Sequence, residues 1–176
     1  VAMTLAATTT ISSGSNFEAA FIYRLVAPAT GTANIVVSLT GNADTVAGAV
    51  SFTGVDQAAP LGHVVEATGS STTPSVTVSS KTGDFVFDTV ATNNTSLTVG
   101  GSQTQRWNIL QANKGGGSTA AGASSVTMTW TTANNNWAQI AANVRQSGLS
   151  PGALVTGTYT GNSTDNTAIT AQLSFK

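Results

Sequence analysis

Cysteine is absent from the 176 residues, which excludes disulfides, thiolate metal sites and a cysteine nucleophile. Its absence fits a reducing or an oxidising compartment equally. Charge is scarce: six Lys or Arg and seven Asp or Glu make 7 % of the chain, against roughly 25 % in an average globular protein. With a net charge of −1 there is no basic stripe to neutralise phosphates, so nucleic-acid binding is not expected. A polybasic membrane patch is missing for the same reason. No apolar run approaches the roughly 20 residues of a spanning helix, so no membrane insertion is expected. Nor does the chain read as disordered, because 40 % hydrophobic residues in alternating pattern can bury a core. Histidine occurs once, which leaves little for metal or acid–base chemistry.

What is present is uncharged and β-branched. There are 30 Thr and 18 Gly, with many Ser and Asn. Such composition typifies secreted and surface β-proteins, so an extracellular or cell-surface location is expected. The chain opens at Val1 without a charged and then apolar leader, so any secretion signal is expected to have been removed or to lie outside it.

Hydrophobic residues recur with period two. Phe17, Ala19, Phe21, Tyr23 and Leu25 alternate with a set that is also largely apolar, which predicts a central strand covered on both faces. Pro28 and Thr30-Gly31 end it. Ala33, Ile35, Val37 and Leu39 predict the next strand, and Val46 to Thr53 another. Gly69 to Pro74 reads as a polar loop. Strands are expected around Val76 and Val78, from Asp84 to Ala91, from Ser96 to Val99 and from Thr104 to Leu110. Lys81-Thr82-Gly83 is a turn. Lys114-Gly115-Gly116-Gly117-Ser118 reads as a flexible loop tip. Val126, Met128 and Trp130 share one strand face. Trp137 to Val144 fits a capped helix or a strand with Ala138, Ile140, Ala142 and Val144 buried; its β-rich flanks favour the strand. Many short strands between Gly, Pro and Asn turns predict an all-β fold, an antiparallel β-sandwich of jelly-roll-like kind. Lys and Glu normally guard sheet edges, and here they are few. The edges must therefore be short, covered or paired with another chain.

Catalytic signatures are missing. His63, beside Pro60-Leu61-Gly62, has no second ligand at metal spacing and reads as a loop residue. Asp84 and Asp88 share a strand face, which reads as a solvated edge or turn cap in preference to an acid–base pair. No nucleophile elbow, P-loop or dinucleotide fingerprint occurs. The chain is therefore expected to be no enzyme and to need no cofactor. Asn162-Ser163-Thr164-Asp165-Asn166 and Gly41-Asn42-Ala43-Asp44 each offer one carboxylate, which fits Asx-turns better than calcium loops. Gln105, Arg106 and Trp107 are a candidate glycan contact, although a core role for Trp107 is favoured; Trp130 and Trp137 read as core. Asn93 to Ser96 and Asn162 to Thr164 contain glycosylation sequons.

Several phrases carry a resemblance when taken in order: Val1-Ala2-Met3-Thr4-Leu5, Tyr23-Arg24-Leu25-Val26, Ser51-Phe52-Thr53-Gly54-Val55-Asp56-Gln57, Gln103-Thr104-Gln105-Arg106-Trp107 and Ser125-Val126-Thr127-Met128-Thr129-Trp130. Over about residues 1 to 146 the chain resembles an uncharacterised β-sandwich domain that recurs in large secreted or surface-attached bacterial proteins and some phage proteins. The resemblance implies a non-enzymatic extracellular module and carries no catalytic residues. In that family an apolar strand precedes the first phrase; here a segment of similar character stands at the far end, with Ile169, Ala171, Leu173 and Phe175 on one face. The expected organisation is a sandwich body over 1–146, a hinge over 147–152 and a strand segment over 153–176 that completes its own or a neighbour's sandwich. Donation to a neighbour would make a homopolymer, the structural subunit of an extracellular filament or surface layer. A carbohydrate-binding or adhesive accessory module and a phage decoration or fibre protein are the alternatives.

Overall fold

The computed structural model describes residues 1–14, 16–93, 96–111, 113–148, 159–163 and 169–175, with the main chain alone at 16, 159–163 and 169–175. Every regular element among them is a strand: β1 (Thr4–Ser13), β2 (Asn16–Arg24), β3 (Gly31–Val37), β4 (Thr45–Ala49), β5 (Leu61–Ser71), β6 (Ser75–Val78), β7 (Phe85–Asn93), β8 (Leu97–Val99), β9 (Thr104–Leu110), β10 (Asn113–Ala121), β11 (Val126–Thr132), β12 (Asn135–Val144), β13 (Tyr159–Ser163) and β14 (Ile169–Phe175). All their pairings are antiparallel. The fold is all-β and sandwich-like, as the alternation predicts.

A five-stranded sheet, in the order β5-β12-β7-β10-β9, forms the middle layer. A three-stranded sheet, β6-β11-β8, covers one face. Its Val76, Val78, Val126 and Met128 meet Val86 of β7 and Ala141 of β12, while Leu97 and Trp130 pack on Val90. The β1–β2 hairpin covers part of the other face, where Ala7, Ala20 and Ile22 meet Ala138, Ile140 and Ala142. The segment open to helix or strand is thus a strand. Its central place in the sheet buries both of its faces: Gln139, Ala141 and Asn143 are enclosed along with the expected set.

Three expectations are corrected. First, Gly115-Gly116-Gly117 is no loop tip but the middle of β10, paired on both sides with Val90 and its neighbours on β7 and with β9. The missing side chains make room for two indoles. A Cβ on Gly116 would stand 2.6 Å from Cη2 of Trp130, and one on Gly117 would collide with the Trp107 ring on the opposite face. Second, β2 is not central. It pairs with β1 alone among the described residues, and its outer face leaves Phe17, Phe21 and Tyr23 exposed at 62 %, 51 % and 53 %. Its two apolar faces have two causes, one packed on the core and the other open. Third, the strand expected at 46–53 stops at Ala49, while residues 69–71, expected in a loop, belong to the long β5.

Candidate functional site

The tail segment comes back to its own chain. Ile169 pairs with Val37, Ala171 with Ile35, Leu173 with Ala33 and Phe175 with Gly31, so β14 lies along β3 in unbroken register. β13 lies on β4 in the same way, from Tyr159 opposite Ala49 to Ser163 opposite Thr45. Among the described residues β3 has no strand partner but β14, and β4 none but β13. None of these four strands contains a charged residue, nor does β1. Residues 149–152 of the expected hinge, 164–166 of the Asn-rich loop and 94–95 of the first sequon lie outside the described residues.

The outer face of the hairpin adds a second feature. Leu5 stands opposite Tyr23, Thr8 opposite Phe21 and Ser12 opposite Phe17, so an aromatic column runs beside a leucine and two hydroxyls. The Phe21 and Tyr23 rings are stacked with centroids 6.5 Å apart. On the inner face Glu18 is buried, and that burial pushes its carboxyl up to about 7.

Trp107 is packed inside the fold. Its indole lies between Gly48 of β4 and Gly115 and Gly117 of β10, with Val46 nearby, so both ring faces are covered against a stacking sugar. Its neighbours differ. A bulge in β9 pairs Trp107 with Gly117 and Gln105 with Ser118, making Arg106 the extra residue. The Arg106 Nε donates to Thr119 Oγ1 at 2.7 Å, and Gln105 is exposed. The three residues therefore form no common contact surface.

Asp84 and Asp88 do share a face, but it is the buried one, which corrects the reading of a solvated edge. Asp88 Oδ1 accepts the main-chain N–H of Ser118 at 2.9 Å and its hydroxyl at 2.5 Å. Its Oδ2 accepts Trp130 Nε1 at 2.7 Å and Gln139 Nε2 at 2.8 Å. Burial outweighs these four donors and lifts the carboxyl to about 6. The group ties β7, β10, β11 and β12 together and has no exposed edge to offer a substrate. Sequence parity found the shared face. Nothing local could show which side of the sheet the third layer covers.

His63 is an exposed residue of β5 and not of a loop, on the rim of a cleft that also holds Asp56, Lys81 and Arg145. Among the described residues no three His, Asp or Glu side chains meet in a way that could hold a metal ion.

The fold and these surfaces define an all-β, sandwich-like protein with uncharged strands at β3, β4, β13 and β14 and an apolar hairpin face. No protein-family model matches the chain, and neither a curated protein nor a solved structure matches it.

Proposed function

We propose that the chain is a non-enzymatic structural subunit of an extracellular filament or surface assembly, joined by exchange of its terminal strand between copies. The observation that carries this reading is the ladder between β14 and β3, in which a strand of the tail segment is, among the described residues, the one partner of an uncharged strand. The same main-chain hydrogen bonds form in the same register whether the strand comes from its own chain or from the next. Given to the next copy, the strand makes a head-to-tail contact that does not close, and such contacts build filaments. Edges meant to stay single usually carry Lys, Glu, Pro or a bulge; β3 has none of these residues. The exposed Leu5, Phe17, Phe21 and Tyr23 supply a lateral contact between copies, since burying the half of each side chain still open to water is worth about 1 kcal/mol. The Thr-rich, charge-poor composition supports the extracellular setting.

The absence of native cysteine makes a direct test available. Thr32 and Ser174 are opposite each other in the ladder, at a spacing that suits a disulfide. Chains carrying Thr32→Cys are mixed with chains carrying Ser174→Cys, and the Thr32→Cys/Ser174→Cys double variant is oxidised alone. A cross-linked pair from the mixture and a ladder of multiples of 17.6 kDa from the double variant are expected on a non-reducing gel. An internally bridged monomer from the double variant, with no cross-link in the mixture, refutes strand exchange.

A further inference from the structure

The phrase Gly54-Val55-Asp56-Gln57, which strand exchange leaves unused, folds against the end of β12. Val55 bridges Gln146, Asp56 N–H donates to the Arg145 carbonyl at 3.0 Å, and Ser147 N–H donates to the Gly54 carbonyl at 2.7 Å. Asp56 Oδ1 accepts the N–H groups of Ala58 and Ala59 at 2.9 and 3.1 Å, which fixes this loop. These two bonds hold the Asp56 carboxyl below the usual carboxylate range. On the opposite side, the turn that follows β6 is closed by Asp84 N–H donating to the Lys81 carbonyl at 3.1 Å. Between them lies a cleft of about 360 Å³ whose lining side chains are all polar.

Three of these side chains are incompletely satisfied. Asp84 is 3 % exposed; its Oδ1 accepts Gln146 N–H at 2.9 Å, while its Oδ2 is buried with no hydrogen-bond partner among the described residues. Asn143 is 5 % exposed and its Oδ1 is likewise unpartnered, as is the buried Ser80 Oγ. Buried polar atoms in native proteins are rarely left so, and three at one cleft mark a place where a ligand's donors are wanted. Lys81 and Arg145 line the same cleft and offer donors in turn.

The charges then select the ligand. Asp56 and Asp84 balance Lys81 and Arg145, so the walls favour neither an anion nor a cation. No aliphatic, phenyl or indole side chain is among the lining residues to hold a hydrophobic molecule. A hydroxyl group both donates and accepts, so neighbouring hydroxyls can satisfy a carboxylate or amide oxygen on one side and a cation on the other. The volume is at the lower end of the roughly 300–1,000 Å³ of small-molecule sites. We infer that this cleft binds a small neutral saccharide, a single sugar unit or a pair.

The test is a titration of the ¹⁵N-labelled full chain with glucose, galactose, mannose and N-acetylglucosamine, followed by amide chemical shifts. At least one sugar is expected to give saturable shifts confined to residues 54–57, 79–84 and 143–147, with Kd of about 1 mM or tighter. Asp84→Asn is expected to weaken it about tenfold or more, because a charged acceptor is lost. Lys81→Gln, at an exposed position that leaves the packing intact, is expected to weaken it by a similar factor. No saturable shift at the cleft with any of the four sugars overturns the inference. So does unchanged affinity in Lys81→Gln, and so does saturation of the cleft by calcium chloride or glycine in place of the sugars.

Discussion

Replacing Gly116 by Ala tests whether the glycine run is a packed strand or an open loop, because the two readings differ in sign. In an open loop the change removes freedom from the unfolded chain and stabilises by about 0.4–1 kcal/mol. In β10 the new methyl stands 2.6 and 2.8 Å from two carbons of the Trp130 ring and 3.1 Å from a Leu97 methyl. Carbon atoms prefer about 3.5–4.0 Å, so the ring has to retreat by about 1 Å. It is buried and held by the 2.7 Å bond from its Nε1 to Asp88 Oδ2, so retreat stretches a hydrogen bond to a buried carboxylate. Overpacking of this kind costs about 1–3 kcal/mol, and losing that bond adds about 1–3 more. Net destabilisation of about 1–5 kcal/mol is expected once the loop-type gain is subtracted. Urea unfolding of the full chain at neutral pH, followed by fluorescence, measures it. The cost should shrink sharply in a Trp130→Phe background, where the smaller ring leaves space for the methyl. A neutral or stabilised Gly116→Ala chain, or an equal cost in both backgrounds, would falsify the packing described for β10.

Two further outcomes follow from the buried carboxyls. Asp88→Asn exchanges one acceptor for a donor, so either the Trp130 indole N–H or the main-chain N–H of Ser118 loses its partner. A loss of about 1–3 kcal/mol in unfolding free energy is expected; wild-type stability would return Asp88 to the solvated edge. Glu18 concerns pH. Its folded carboxyl titrates at about 7 against 4.5 without the fold, so the folded chain keeps a proton that the unfolded chain releases between those values. Stability therefore falls as pH rises through that window. The whole shift corresponds to about 3 kcal/mol, and solvent screening at the thin two-stranded hairpin reduces it to about 1–2 kcal/mol. Thermal unfolding at pH 5 and pH 8 should show a larger loss in the native chain than in Glu18→Gln, where Asp88, lifted to about 6, still contributes its own share. A loss of equal size in both chains assigns it elsewhere.

The candidate sites were legible in unequal measure. The tail's strand character was written in the alternation of Ile169, Ala171, Leu173 and Phe175, yet its place on β3 was not, since pairing partners more than 130 residues apart leave no local trace. Trp107 drew attention through its polar neighbours, but the glycines that enclose it come from β4 and β10. The cleft was the least visible: its loop, its turn and the end of β12 are widely separated in sequence, and each alone reads as ordinary turn chemistry.

Composition and period two determined the fold class, because alternating β-branched residues can bury only one kind of surface and turn residues punctuate it at short intervals. They also determined how little charge is available to guard an edge or run a reaction. Tertiary structure decided which face of each strand is inside. It turned a glycine run into a seat for two indoles, put Asp88 under four donors and left the aromatic column of β2 in the open. The physical reason is that burial belongs to pairs of layers: a residue's pattern says which side it shares with its neighbours, and only the layer packed against that side says whether water reaches it.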